Sequence, residues 1–141
     1  MPVIGLKFES FTGKRDRDVI KENVKINSAP KIKDIKEISV PEIGKKTLSF
    51  SFDFVTTYEP DVGSITVTGE VLFVSDNPSK IVSDWKKKNT LPANISTEVL
   101  NFLFRRCLLK ISNIAEDLQL PPPIGFPRVK PTEKQETDYV G

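Results

Sequence analysis

The chain has 141 residues, of which 28% are charged and 38% hydrophobic, and its formal net charge is +2. This length and composition are typical of one globular domain, and the charge is too balanced for a large basic surface that binds nucleic acid. The sequence has no histidine and a single cysteine, Cys107, which excludes Ser-His-Asp and Cys-His catalysis, His or Cys₄ zinc sites and a disulfide framework. We therefore expect a non-enzymatic binding protein with no catalytic residue, metal site or cofactor.

The sequence also carries expectations about compartment and source. Its apolar runs are too short to span a bilayer, and its first residues do not have the pattern of a signal peptide. These features predict a cytoplasmic protein without a membrane partner. The sequence contains few Met, Cys and Gln residues and many Lys and Glu residues. This composition is typical of proteins from thermophiles.

The first half of the chain predicts four strands. At the N terminus, apolar and polar residues alternate, which predicts one face formed by Ile4, Leu6 and Phe8. A polar turn over 12–18 follows. The second strand is predicted over about 19–40, at an edge of the sheet and broken near Pro30, because proline cannot donate to a strand ladder.

The third and fourth strands predict a hairpin around a turn over 59–63. Gly69 interrupts the apolar face of the fourth strand, which predicts a bulge or the close approach of another backbone. The apolar face of the third strand consists of Leu48, Phe50, Phe52 and Phe54, and that of the fourth of Ile65, Val67, Val71 and Phe73. The opposite, outer face carries few acids: Ser49, Ser51, Asp53, Thr66, Thr68 and Glu70.

Two helices are predicted in the second half. Asp76 or Asn77 caps a short helix that has Pro78 at its first position and ends at 86–88. A linker over 90–93 leads to a long helix over about 96–118, for which Asn94 or Ser96 is the predicted starting residue. At 100° per residue its apolar side chains fall within an arc of about 140°, formed by Leu100, Leu103, Phe104, Cys107, Leu108, Ile111, Ile114, Ala115 and Leu118.

Phe102 and Leu109 lie outside this arc and project from the polar side of the helix. An exposed apolar pair of this kind predicts either cover by a loop or by the following proline-rich segment, or an oligomer contact. Pro121–Pro123 impose an extended path on that segment. Three apolar side chains then lie ready to contact the sheet or a partner: Ile124, Phe126 and Val129. We expect a single domain over 1–131 and a mobile polar tail over 132–141.

Basic residues recur along the chain and support two interpretations. They are either solvated charges or a patch that docks on structured RNA or an acidic protein with strong salt dependence. The possible RNA contacts are Lys14, Arg15, Arg17, Lys86, Lys87, Lys88, Arg105, Arg106, Arg128 and Lys130.

The order of these elements resembles that of the SecB export chaperones. The resemblance spans most of residues 3–130, and its most local part is the segment 120–129 (LPPPIGFPRV), which is similar to a proline-bracketed apolar run of that family. It implies an α+β fold in which a four-stranded antiparallel sheet is packed by a short and a long helix. It further implies a homo-oligomer, usually a dimer of dimers, that holds unfolded polypeptide in apolar grooves without ATP.

By the same analogy the dimer forms through the N-terminal edge strand around Ile4, Leu6 and Phe8, and the long helix near Phe102 and Leu109 makes further contacts. SecB chaperones are strongly acidic and contact the SecA motor through an acidic sheet face, whereas this chain is slightly basic. Two hypotheses remain open. The first is a SecB-like holdase for apolar polypeptide segments, and the second is a ribosome-associated factor, of the dimerisation, anti-association or hibernation type, that docks on ribosomal RNA and protein.

Overall fold

The computed structural model describes residues 3–18, 24–40 and 46–125, together with Pro127 and Val129. Four strands form one antiparallel sheet in the order β1-β4-β3-β2, and two helices follow them in the chain. The predicted α+β architecture is confirmed. The elements are β1 (Val3–Arg15), β2 (Lys25–Ser39), β3 (Lys46–Glu59), β4 (Gly63–Val74), α1 (Pro78–Lys88) and α2 (Ala93–Asp117).

The predicted hairpin of β3 and β4 is present, and it forms the centre of the sheet. Its apolar face is fully covered by the helices, and each large side chain buried there contributes roughly 1.5–3 kcal/mol to folding. Gly69 marks a close backbone approach: a Cβ at this position would collide with the main-chain carbonyl oxygen of Lys7 on β1. The buried core residues of β3 and β4 include Leu48, Phe50, Phe52, Phe54, Ile65, Val67, Val71 and Phe73.

Strand β1 differs from its prediction in length and in register. It continues to Arg15, so the predicted turn over 12–18 begins only after the strand ends. The pairing with β4 shifts after Val3 and again after Phe8. Each shift adds one residue and reverses the inward and outward alternation. Ile4 therefore lies in a bulge, 40% exposed, and the prediction that it shares a face with Leu6 and Phe8 is wrong.

Strand β2 is an edge strand, as predicted, but it is not broken at Pro30. Pro30 pairs with Phe54, and the irregularity lies further along, between Ile32 and Asp34. An edge strand tolerates proline because the missing N–H costs no ladder bond where it faces away from the sheet. The bulge turns Ile35 into the core, where it is buried opposite Phe50.

Helix α1 begins and ends as predicted, with Asn77 at the N-cap, Pro78 in the first turn and three lysines in the last. Helix α2 begins at Ala93, three residues before the prediction, because Ser96 N–H already bonds the carbonyl of Pro92 at 2.9 Å. Neither helix in the described part of the chain is long and apolar enough to cross a membrane.

Helix α2 crosses the apolar face of the sheet and buries a stripe along its length: Val99, Leu103, Cys107, Ile111 and Ala115. It passes so close to β1 that a Cβ at Gly13 would lie 3.0 Å from both Ile114 and Leu118. The helix ends in a Schellman motif, in which Gln119 has φ 56° and the N–H of Leu120 bonds the carbonyl of Ala115 at 2.8 Å. Leu120 is buried, so the chain turns back against the core as it leaves the helix.

Candidate functional site

An open apolar groove runs along the solvent side of α2, beside the segment that follows the helix. Its volume is about 380 Å³, and its lining consists of Asn101, Phe104, Arg105, Leu108, Leu109 and Ile124. Leu109 is 61% exposed and Phe104 36% exposed. Large side chains grouped in this way are unusual on the surface of a monomer and are characteristic of a contact site.

The core fixes one wall of this groove. The ring of Phe104 stands edge-on against the buried ring of Phe54, with centroids 5.4 Å apart and planes at 87°. One side of Phe104 is therefore held by β3 while the other side is open to the groove. Aromatic pairs in this geometry are stabilising beyond the area they bury, so this wall is formed before any partner arrives.

The opposite wall is carried by the segment after α2, which a buried tyrosine holds in place. The hydroxyl of Tyr58 donates a 2.6 Å hydrogen bond to the backbone carbonyl of Pro121. Burial raises the pKa of Tyr58 to about 12, so the hydroxyl keeps its proton and remains a donor through the neutral range. This bond positions the backbone three residues before Ile124.

A second cavity of about 290 Å³ adjoins the groove on the other side of Leu109. It is lined by Phe8, Arg106, Leu109, Lys110 and Asn113. The ring centroids of Phe8 and Phe11 lie 5.1 Å apart next to this cavity, and Phe11 is 46% exposed. Because Leu109 lines both cavities, the apolar surface continues from the end of α2 to the edge strand. We call this surface the apolar strip, formed by Phe8, Phe11, Phe104, Leu108, Leu109 and Ile124.

Three cations border the apolar strip. The guanidinium carbons of Arg105 and Arg106 lie 5.6 and 5.7 Å from the ring centroid of Phe102. The ammonium of Lys110 lies 5.6 Å from the centroid of Phe11 and 6.0 Å from that of Phe8. No carboxylate in the described ranges lies within 4 Å of any of the three cations. The border of the strip is therefore positive.

The structure gives different surroundings to the residues that were predicted for oligomer and partner contacts. Leu109 projects from the polar side of α2 and is exposed, whereas Phe102 does not project freely: it is half-buried against the core beneath Arg105 and Arg106. Leu6 and Phe8 are likewise half-buried against the core. Ile124 lines the groove, and Val129 is exposed without lining it. Phe126, Arg128, Lys130 and the tail over 132–141 lie outside the described residues.

Three members of the strip were not predicted as surface contacts: Phe104, Leu108 and Phe11. Phe104 and Leu108 both fall inside the predicted apolar arc of α2, but the structure fully buries only part of that arc, including Leu103, Cys107 and Ile111. Phe11 faces the helix side of the sheet only because of the bulge after Phe8, and periodicity does not locate bulges.

The predicted basic clusters are distributed over separate elements. Three of their members make local contacts near the β3–β4 turn: Lys14 pairs with Asp16 at 3.7 Å, Arg15 with Asp18 at 2.7 Å, and Arg17 donates two bonds to the carbonyl of Pro60. Lys86, Lys87 and Lys88 occupy the last turn of α1. Within the described residues, Arg105 and Arg106 are the members of these clusters that border the apolar strip.

Cys107 has no reactive environment. It is buried in the stripe that α2 presents to the sheet, and burial raises the pKa of its thiol to about 12. A thiol in such surroundings is a packing residue. The described ranges also contain no cluster of three or more His, Cys, Asp or Glu side chains that is able to hold a metal ion.

Comparison with known proteins gives a likeness of fold. The chain is similar to the Mycobacterium tuberculosis SecB-like chaperone Rv1957, solved in complex with a ChAD peptide from the HigA1 antitoxin. The TM-score is 0.52 and the identity 11%, over 92% of this chain and 91% of that chain. No family model and no curated protein matches the sequence. The architecture is thus SecB-like at the level of the fold.

Proposed function

We propose that the chain is a non-enzymatic cytoplasmic holdase that binds apolar segments of non-native polypeptides along the apolar strip. The observation that carries this proposal is the exposure of Leu109 and Phe104 in a groove whose walls are fixed by the core. A preformed apolar groove binds without ordering itself first, which reduces the entropic cost of association. The similar fold of a SecB-like chaperone described in complex with a peptide supports the same function.

The strip suits an extended polypeptide. Its lining comes from one helix face, the following segment and the edge strand, so a chain laid along it meets apolar side chains at intervals. Polar groups are few in the groove: Asn101 and Arg105 stand at its edges. Such a surface binds through side-chain burial and places little demand on client sequence, which is the property a holdase requires.

We further propose that the chain forms a homo-oligomer through β1. This strand lies at one edge of the sheet, and among the described strands β4 alone pairs with it. An edge strand presents unpaired N–H and C=O groups to a second copy. Ile4 adds an exposed apolar side chain at the bulge. A dimer of dimers would then require a second contact, for which Leu109, the more exposed of the two large apolar side chains that α2 presents to solvent, is a candidate.

The proposed holdase activity is tested with a reduced, unfolded client whose aggregation is followed by light scattering. We expect the wild type to suppress aggregation at an equimolar ratio and Leu109→Lys to lose most of this effect. Thr97→Lys, at an exposed position in the first turns of the same helix, adds the same charge without removing an apolar side chain and is expected to act as wild type. Failure of the wild type to suppress aggregation would overturn the proposal.

Sedimentation of the same variants separates the two roles open to Leu109. If Leu109 contacts clients, Leu109→Lys keeps the oligomeric state of the wild type and loses client binding. If it contacts a second copy, the variant sediments as a smaller species. A smaller species would show that Leu109 belongs to the subunit interface and not to the client site.

A further inference from the structure

We infer that the apolar strip selects apolar polypeptide segments that are flanked by acidic residues. This inference rests on the proposed holdase function and names the client class for that same surface. The juxtaposition that supports it is a continuous apolar surface bordered by three cations, Arg105, Arg106 and Lys110.

The charge along the middle of α2 has one sign. From residue 99 to residue 115 the helix carries Arg105, Arg106 and Lys110 and no acid. The acids of α2 stand at its two ends: Glu98 lines a separate small cavity with Phe102 and Arg105, and Glu116 and Asp117 belong to the last turn. None of these acids lines either cavity of the strip.

The three cations are held at the strip by aromatic rings. Arg105 and Arg106 lie over Phe102, and Lys110 lies over Phe8 and Phe11. A ring face orients a cation without cancelling its charge, whereas a carboxylate would neutralise it. All three side chains are exposed. They are therefore charged, positioned and free to meet carboxylates of a bound segment.

Charge complementarity of this kind decides between clients more than it adds affinity. Acidic residues beside the apolar segment gain contacts with the border, and basic residues there meet like charges. Exposed ion pairs are individually weak, so two or three of them together make a preference of about tenfold at low salt. The preference disappears at high salt because the charges are exposed and screened.

The test uses two labelled peptides with the same apolar centre, one flanked by Glu and the other by Lys. Their binding is measured by fluorescence anisotropy at about 0.05 M and about 0.5 M salt. We expect the Glu-flanked peptide to bind about tenfold more tightly at low salt, and both peptides to bind alike at high salt. In the double variant Arg105→Glu with Lys110→Glu the preference should reverse.

A matched control moves the same charge change away from the strip. Lys87→Glu with Lys88→Glu alters the end of α1, where neither residue lines the apolar strip. This double variant is expected to keep the wild-type preference, which separates contact at the border from the overall charge of the protein. Circular dichroism melts show whether each variant remains folded.

The outcomes distinguish the inference from the proposed function. Equal binding of both peptides at low salt, or tighter binding of the Lys-flanked one, would overturn the acidic preference and leave the holdase proposal standing. No binding of either peptide by the wild type would overturn both. An RNA oligonucleotide is added as a competitor. If RNA displaces the bound peptide from the wild type but not from the Arg105→Glu and Lys110→Glu variant, the cations bind nucleic acid and the inference is overturned.

Discussion

The hydroxyl of Tyr58 donates a 2.6 Å hydrogen bond to the backbone carbonyl of Pro121, which joins the central strand β3 to the segment that forms one wall of the groove. Tyr58→Phe leaves this partly buried carbonyl without its partner. We expect the free energy of unfolding to fall by about 1–2 kcal/mol and peptide affinity to fall as Ile124 loses its fixed position. Urea denaturation and a binding titration measure both. A variant with wild-type stability and affinity would contradict this role for the bond.

Stability should decrease at alkaline pH. Burial raises the pKa of Tyr58 from 10.0 and that of Cys107 from 9.0, each to about 12. At a pH between a group's ordinary pKa and its pKa in the folded chain, the unfolded chain has lost a proton that the folded chain retains. The free energy of unfolding therefore falls as pH rises through this range. Well below pH 9 both groups are protonated in both states and contribute no slope.

Two variants separate the contributions of Cys107 and Tyr58 to the loss of stability at alkaline pH. Cys107→Ala should flatten the loss of stability that begins near pH 9, and Tyr58→Phe the part that begins near pH 10. Urea denaturation across this range measures the free energy at each pH. A wild type whose stability is level up to pH 12 would show that neither group is protected from solvent.

The close approach of β1 and β4 makes Gly69 intolerant of any side chain. A Cβ there would collide with the carbonyl oxygen of Lys7, so Gly69→Ala must displace β1. Overpacking of this kind costs about 1–3 kcal/mol. Gly5→Ala is the matched control on β1, because its Cβ would lie an ordinary 3.7 Å from Leu72. Thermal melts of the two variants should differ clearly, and equal melting temperatures would contradict the register of the β1–β4 pair.

The end of α2 offers a stabilising substitution. Gln119 has φ 56°, a conformation that disfavours residues with a Cβ. Gln119→Gly is expected to raise the free energy of unfolding by about 0.5–1 kcal/mol, since glycine is the usual residue at this position of a Schellman motif. Gln119→Ala retains the Cβ and should bring no gain. Destabilisation by glycine would mean that the left-handed conformation is absent in solution.

Sequence periodicity was sufficient for the central hairpin and for the order of the elements. Phe50, Phe52 and Phe54 alternate without interruption because β3 has neighbours on both sides and no bulge. Edge strands are less constrained. The bulges at Ile4 and after Phe8 leave no trace in composition, so the phase of β1 was predicted correctly only in part.

The candidate site shows the same limit. Leu109 was identified because it is large and lies opposite the buried arc of α2. Phe104 was expected in the buried arc and Phe102 on the exposed side, but their exposures are reversed. Arg105 and Arg106 cover Phe102, whereas nothing in the described ranges covers the outer side of Phe104. Exposure therefore depends on neighbouring side chains as well as on angle around the helix. The groove itself depends on the Tyr58–Pro121 contact between distant parts of the chain, which no local pattern encodes.

Binding of polypeptide at Leu109 is open to a direct test by photo-crosslinking. Leu109 and, as a control on the same helix, Thr97 are each replaced by a photoreactive benzoylphenylalanine, and the protein is illuminated with an unfolded apolar peptide. We predict a covalent adduct from position 109 that excess unlabelled peptide suppresses, and none from position 97. No adduct at position 109, or equal adducts from both positions, would show that the polypeptide does not bind at Leu109.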